Sequence, residues 1–95
     1  MYGTIGRMRA KAGQRDALIG MMSAPPAGAA ANGYRGSYLL KADEGDEVVV
    51  AVMYEDKDAY FAMVHDPKTD ENFDRIMELL VEEPSWTDGE WVAPA

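Results

Sequence analysis

The sequence predicts an α+β fold in which helices cover one face of a four-stranded antiparallel sheet. The run from Val48 to Tyr54 carries this prediction, because strand side chains alternate between two faces and this run is apolar on both. Apolar residues at helical spacing around Leu18 and Phe73 supply cover for one face only. A chain of 95 residues has little left for the other face, and a second copy is the commonest cover.

The first half of the chain predicts a strand, a helix, a loop and a second strand. These elements occupy residues 2–9, 14–22, 23–33 and 34–41. The helix follows from Leu18, Met21 and Met22, which are spaced at i, i+3 and i+4. The loop is rich in Pro, Gly and Ala, which end regular structure. Alternation in the second strand places Tyr34 and Tyr38 on one face.

The second half predicts a third strand, two short helices and a final strand. The polar turn 43–46 joins the second and third strands into a hairpin. Asp56 and Thr69 are the predicted N-caps of the two helices, and residues 90–92 form the short last strand. The order β-α-β-β-α-α-β is that of a ferredoxin-like domain whose second helix is broken in two. We expect one such domain over residues 1–95.

Composition excludes several classes of function. The net charge of -8 argues against nucleic acid, whose phosphates require clustered Lys and Arg. No apolar run approaches the roughly 20 residues of a membrane span, and the first residues lack a signal pattern, so we expect a cytoplasmic protein without a membrane partner. The chain has no Cys, and His65 is its only His, so we expect no metal site. Nucleotide-binding motifs are also missing, and we expect no cofactor.

The candidates for chemistry each have an alternative interpretation as ordinary structure. His65 precedes Asp66-Pro67 at a helix end, where it is either a solvent-facing residue or a base. Tyr60 and Trp86 belong to a large set of aromatic residues that packs a core or lines a site for a flat aromatic ligand. Met63 is one of seven methionines, which supply an adaptable apolar lining in either case.

Several segments of the chain together resemble the antibiotic biosynthesis monooxygenase family. The segments are 2–9, 33–40, 46–54 with the helix from Asp56, and 83–92. The resemblance implies a dimeric α/β barrel, in which two ferredoxin-like sheets pack face to face with their helices outside. It also implies a pocket between each sheet and its own helices. Catalytic members oxidise polycyclic phenols to quinones with molecular oxygen, without metal, flavin or haem.

The function that this resemblance implies is that of a cofactor-independent monooxygenase acting on a phenol-like aromatic molecule. In this hypothesis Tyr60 or His65 removes the phenolic proton, and the protein favours the anion and excludes water. Arg35 would hold the anion, while the other residues would line the pocket. The substrate-binding candidates are Arg35, Tyr38, Met63 and Trp86.

Two alternatives stay open. Quinone-forming members typically carry an Asn and a Trp on the helix after the third strand, and this chain has neither there. One alternative is therefore a non-catalytic dimeric module that binds a small ligand or serves regulation. Haem-degrading relatives use an Asn on the first strand with a Trp and a His on this helical region. His65 is the one match to that set, which makes a haem-degrading monooxygenase the other alternative.

Overall fold

A computed structural model describes residues 1–93 as a four-stranded antiparallel sheet with helices on one face. The elements are β1 (Tyr2–Arg9), α1 (Arg15–Met22), a 3₁₀ turn (Gly28–Ala31), β2 (Tyr34–Lys41), β3 (Glu47–Tyr54), α2 (Lys57–Val64), α3 (Pro67–Met77) and β4 (Ser85–Glu90). The strand order is β2-β3-β1-β4, so β3 and β1 are central. The predicted α+β, ferredoxin-like arrangement is confirmed. Within residues 1–93, no helix is long and apolar enough to cross a membrane.

The two faces of β3 have different surroundings. Val48, Val50 and Tyr54 are buried beneath the helices, as expected for the face that forms the core. Val49 and Met53 point to the opposite face, which we call the open face, and they are only half-buried. The two-sided apolar pattern of this strand therefore corresponds to one covered and one uncovered face.

The core lies between the sheet and α1, with a contribution from the chain after α3. Leu18 of α1 and Val48 of β3 are fully buried in it. The cluster consists of Met8, Ala10, Leu18, Val48, Val50 and Leu80. Each large apolar side chain buried here stabilises the fold by about 1.5–3 kcal/mol relative to its exposed state.

The caps of α2 and α3 explain why the second helix is broken. Asp56 caps α2 as predicted, because its Oδ1 accepts a hydrogen bond from the backbone N–H of Ala59 at 2.8 Å. The predicted cap at Thr69 is wrong, since Asp66 caps α3 and accepts from the N–H of Lys68 at 3.0 Å. Pro67 occupies the first turn, where its missing N–H costs nothing.

Strand β4 begins earlier than predicted. It covers Ser85–Glu90 rather than residues 90–92, and all six residues are exposed. It pairs with β1 through a register that places Gly89 opposite Gly3 and Trp86 opposite Gly6. Small and polar residues have low strand propensity, so β4 depends on pairing with β1 rather than on its own sequence.

A β-bulge changes the faces of β2. The register shifts between Tyr34 and Gly36, so Arg35 is an extra residue and the alternation reverses after it. Tyr34 packs against Tyr54 on the helix face, with ring centroids 5.6 Å apart. Tyr38 instead lies on the open face and is 75% exposed. The prediction that Tyr34 and Tyr38 share a face is therefore wrong.

Candidate functional site

A polar cluster of Tyr60, Asp88 and Thr4 lies between α2 and the sheet. Tyr60 is only 4% exposed, and its Oη donates a hydrogen bond to Oδ1 of Asp88 at 2.8 Å. Thr4 is equally buried and lies opposite Asp88 in the register of β1 and β4. Hydrogen bonds to a carboxylate are stronger than those between neutral groups, so this contact ties α2 to the edge strand.

Local sequence explains how the cluster forms. The Asp56 cap starts α2 one turn before Tyr60, which directs Tyr60 towards the sheet. In β4, alternation places Trp86 and Asp88 together on the helix face. The cluster therefore joins three elements that are distant in sequence.

Burial, followed by the hydrogen bond to Asp88, raises the pKa of Tyr60 to about 12. The Thr4 hydroxyl lowers this pKa, but burial dominates. Burial likewise raises the pKa of Tyr54 to about 12, with Tyr34 contributing, and its Oη donates to the carbonyl oxygen of Ala30 at 2.7 Å. Tyr60 is therefore neutral at physiological pH. It accepts a proton only by passing its own to Asp88.

An alkaline titration followed by tyrosinate absorbance tests these two environments. The chain has five tyrosines, and we expect Tyr54 and Tyr60 to ionise last, near pH 12 rather than at the ordinary pKa of 10.0. The pKa of each of these two tyrosines is higher in the folded than in the unfolded protein. Their contribution to the free energy of unfolding is therefore complete below pH 10 and is lost as pH rises towards 12. The variant Tyr60→Phe should remove one late-ionising group. Ionisation of all five tyrosines in a single step near the ordinary pKa would contradict this assignment.

Aromatic rings surround the polar cluster on the helix face. The rings of Tyr2 and Phe61 lie 5.4 and 5.1 Å from that of Tyr60, measured between centroids. Trp86 lies over Gly6, where a Cβ would overlap its ring, and is 6.1 Å from the ring of Phe73 on α3. Trp86 is 44% exposed, so part of its aromatic surface is open to solvent.

Three of the six predicted site residues lie at or beside the polar cluster. Tyr60 belongs to it, and Trp86 precedes Asp88 by two residues on the same face. Met63 lies one turn after Tyr60 on α2 and is partly buried. Their positions are observed, whereas a catalytic role for any of them is a proposal.

The other three predicted residues lie elsewhere. His65 is the exposed C-cap of α2, and its ring stacks on Phe61 with centroids 6.3 Å apart. Arg35 pairs with Glu55 at 2.7 Å on β2, about 14 Å from β4 because three strand spacings separate the two edges. Tyr38 lies on the open face, opposite to the cluster. The structure therefore does not bring these three together with Tyr60.

Sequence reasoning missed Asp88, Thr4 and Phe73. Asp88-Gly89 is typical of a turn, which concealed the strand that carries Asp88. The available signal was the alternation of Trp86 and Asp88, which places an aromatic ring and a carboxylate on one face.

A shallow cavity of about 160 Å³ lies along β1 and β4, and Thr4 and Asp88 of the polar cluster are among its lining residues. Gly3 and Gly89 lie opposite each other at its base, so neither strand contributes a side chain there. Ile5, Thr87 and Trp91 also line it. We call these five residues the glycine trough.

Trp91 closes one end of the trough. Its Nε1 donates a hydrogen bond to the carbonyl oxygen of Val52 at 3.1 Å. A Cβ at Gly3 would lie 2.7 Å from that nitrogen and would overlap the same carbonyl oxygen. A side chain at Gly3 would therefore displace Trp91.

The chain shares its fold with solved structures over nearly its whole length. Rv0793 from Mycobacterium tuberculosis has a TM-score of 0.78 and 22% identity, covering 99% of this chain and 97% of that one. A Nitrosomonas europaea protein, provisionally described as an antibiotic biosynthesis monooxygenase, has a TM-score of 0.79 and 16% identity, covering 98% and 100%. SnoaB from Streptomyces nogalater, described as a cofactor-independent oxygenase, has a TM-score of 0.73 and 16% identity, covering 99% and 97%.

Sequence comparison adds no closer relationship. No protein-family model matches the chain, and no curated protein matches it in sequence. At these identities the likeness is one of fold. At that level the resemblance to antibiotic biosynthesis monooxygenases is confirmed. Within residues 1–93, no three His, Asp or Glu side chains come close enough to hold a metal ion together.

Proposed function

We propose, from the fold shared with antibiotic biosynthesis monooxygenases, that this chain oxidises a flat phenol-like aromatic molecule with molecular oxygen and without a cofactor. The observation that carries the proposal is the hydrogen bond from the buried Tyr60 to the exposed Asp88, beside the half-exposed ring of Trp86. A proton acceptor and an aromatic surface are the two features that this chemistry requires of a protein.

The reaction needs little from the protein, because the substrate supplies the electrons. In an anthrone, one atom of O₂ becomes a ring carbonyl at the reacting CH₂, and the other leaves as water with both hydrogens of that carbon. The protein binds the ring and favours the anion that reacts with oxygen. In the phenolic tautomer of the anthrone, one of these two hydrogens is on the ring oxygen, and Tyr60 accepts it at Oη while its own proton passes to Oδ1 of Asp88. The proton returns from Asp88 through Tyr60 to the departing water, so no free phenolate forms on Tyr60 and the site is restored.

The proposed pocket differs from the predicted residue set. Tyr60, Met63 and Trp86 stay, and Asp88 joins them as the final proton acceptor. His65 stays as a second candidate for taking the proton, from the rim of the site. Arg35 and Tyr38 are left out because they lie at the far edge and on the opposite face.

The substrate must reach a side chain that is almost fully buried. Trp86 marks the open side, where Phe73 of α3 covers the gap between the helices and β4. Ile76 and Met77 anchor the end of α3 to the core, whereas the part around Phe73 has no buried residue and is held less firmly against β4. We infer that ligand enters between α3 and β4.

We also propose that the protein is a homodimer formed through the open face. Val49, Ala51 and Met53 are half-buried there, while Tyr38 and Leu40 are 75% and 65% exposed. A contiguous apolar face of this kind marks an interface. Sedimentation at micromolar concentration should give about twice the 10.4 kDa mass of the chain. A stable monomer would overturn the dimer.

The oxygenase proposal is tested with purified protein and a panel of polycyclic hydroquinones and anthrones. We expect faster oxygen uptake and faster growth of quinone absorbance than in buffer, undiminished by a metal chelator. The heat-denatured protein is the control for surface-catalysed autoxidation. Rates equal to buffer across the panel would exclude this function.

A second candidate is a non-catalytic module that binds a small aromatic molecule. It is favoured by the closed state of the polar cluster, in which Tyr60 and Thr4 are both buried. Binding would change the fluorescence of Trp86 without consuming oxygen.

The haem-degrading alternative is not proposed, because its one matching residue, His65, is exposed and lies outside the cluster.

A further inference from the structure

Strand β1 has two glycines that are each covered by a tryptophan ring. A Cβ at Gly3 would lie 2.7 Å from Nε1 of Trp91, and a Cβ at Gly6 would lie 2.6 Å from Cε3 of Trp86. Both distances are too short for non-bonded atoms, so each ring rests directly on backbone where a side chain is missing. The two rings lie on opposite faces of the sheet, because Gly3 and Gly6 are three positions apart.

The two rings differ in how they are held. Trp91 is fixed by the hydrogen bond from its Nε1 to the carbonyl oxygen of Val52 at 3.1 Å. Within residues 1–93 the structure shows no hydrogen bond from the side chain of Trp86, and this residue is 44% exposed. A ring held by contact alone has no hydrogen bond to break when it moves. Trp86 can therefore leave Gly6 at lower cost than Trp91 can leave Gly3.

The outer side of Trp86 faces a weakly held part of α3. Its ring centroid lies 6.1 Å from that of Phe73, and the two rings are tilted by 51° rather than stacked. Ile76 and Met77 pack against the core, but no residue of α3 is fully buried. Low burial corresponds to low local stability, so space for another ring opens more easily on this side of Trp86 than on the sheet side.

We propose that one ring of the aromatic ligand inserts between Gly6 and Trp86, an inference that rests on the function proposed above. In the ligand-free protein, Trp86 itself occupies the place of that ring against the backbone of β1. On binding, the ligand ring lies flat on Gly6, and Trp86 closes over its outer face. We call this space the Gly6 slot. Gly6 is then a specificity-determining residue, since any side chain there would fill the space of the ligand ring.

The register connects the Gly6 slot to the polar cluster. Trp86 pairs with Gly6, and Asp88 pairs with Thr4 two residues further along the same two strands. Two residues of a strand extend about 7 Å. A ligand that rests on Gly6 and brings a hydroxyl group to Tyr60 must cover this distance. A fused system of several rings covers it and a single phenol ring does not, so the slot selects fused-ring phenols over simple ones.

Fluorine NMR of the protein labelled with 5-fluorotryptophan tests the movement of Trp86. The chain has two tryptophans, so the spectrum has two signals, which Trp91→Phe assigns. The probe is 1,8-dihydroxyanthraquinone, a flat three-ring molecule that is already a quinone. We expect saturating probe to shift the Trp86 signal and to leave the Trp91 signal in place, whereas phenol shifts neither.

Gly6→Ala should close the slot and leave the protomer folded. The atoms nearest to the new Cβ belong to the Trp86 ring, which can swing outwards, and Gly6 has no left-handed backbone. We expect the Trp86 signal to move without probe. The dissociation constant of the probe should rise about 10- to 200-fold, the usual effect of one carbon in a close-fitting apolar site. Gly20→Ala on α1, where a Cβ meets nothing within 4 Å, is the matched control and should change neither quantity. Circular dichroism checks that both variants are folded.

Trp86→Ala distinguishes a ring that must lift from a ring that is a fixed stacking surface. Association is slowed when binding requires a conformational change. We therefore expect Trp86→Ala to raise the association rate constant of the probe about 10-fold. Dissociation should also become faster, because the outer wall of the slot is gone. Stopped-flow measurement of the probe's visible absorbance gives both constants, and a fixed stacking surface predicts faster dissociation alone.

The outcomes separate the Gly6 slot from the function on which it rests. If the probe binds and the Trp86 signal does not move, the slot is wrong and the proposed function stands. Wild-type affinity in Gly6→Ala, or an unchanged association rate constant in Trp86→Ala, also overturns the slot alone. So does oxidation of anthrones by a protein that does not bind the probe. If the protein neither binds the probe nor oxidises any member of the panel, both proposals fall.

Discussion

We expect Val50→Asp to unfold the protomer, and Val49→Asp to leave a folded protomer that does not form the proposed dimer. Val50 lies in the core beneath the helices, so an aspartate there has no partner and no water. An uncompensated buried charge costs about 3–5 kcal/mol. This is a large part of the roughly 5–15 kcal/mol that stabilises a small domain. Val49 lies on the open face, where its aspartate is solvated in a single protomer.

The two variants are each other's control, since adjacent residues undergo the same change on opposite faces of one strand. Circular dichroism should show loss of secondary structure only for Val50→Asp. Sedimentation should show a monomer for Val49→Asp and a dimer for the wild type. A Val49→Asp protein that stays dimeric would place the interface elsewhere, and a Val50→Asp protein of wild-type stability would contradict the core.

Tyr60→Phe and Asp88→Asn should each lower kcat for quinone formation about 10²- to 10⁴-fold, the usual range for loss of an acid–base group. The phenylalanine keeps the ring contacts with Tyr2 and Phe61 but cannot relay a proton. The asparagine still accepts the Tyr60 hydrogen bond but cannot receive the proton. We expect KM to change little in both variants, because the aromatic surface is intact.

Single-turnover kinetics with a phenolic substrate provide the measurement, and the pH dependence of kcat separates the roles. A residue that only positions the ring would lower kcat equally at all pH values. In a variant without the proton acceptor, kcat should instead recover at high pH, because the substrate ionises in water there. Arg35→Lys is the control, since Arg35 lies at the far edge. If His65→Gln lowers kcat and Tyr60→Phe does not, the proton acceptor is His65.

The predictable part of the fold is the part with strong local patterns. Strand β1 has the bounds expected from the sequence, and β3 differs by one residue, because alternation or a two-sided apolar run defines each strand. Strand β4 has no such pattern, since small and polar residues dominate Ser85–Glu90. Its position follows from the hydrogen bonds that β1 offers, which are invisible in the sequence of β4 itself.

The candidate site was predictable where one element determined it. Met63 follows Tyr60 by one helical turn, so α2 alone brings them to the same side. Asp88 was not predictable, because its role depends on pairing between β1 and β4. Tyr38 was assigned to the wrong face because a single extra residue, Arg35, reverses the alternation before it.

That extra residue affects how this chain can be aligned with proteins of the same fold. Arg35 shifts the register of everything after it in β2, so a gap-free alignment with an unbulged strand matches Tyr38 to a core-facing position. Leu39, which packs against the core, would then be matched to a position on the opposite face. An alignment faithful to the three-dimensional structure therefore places a one-residue insertion at Arg35. At identities near 20%, only the hydrogen-bond register of β2 reveals that insertion.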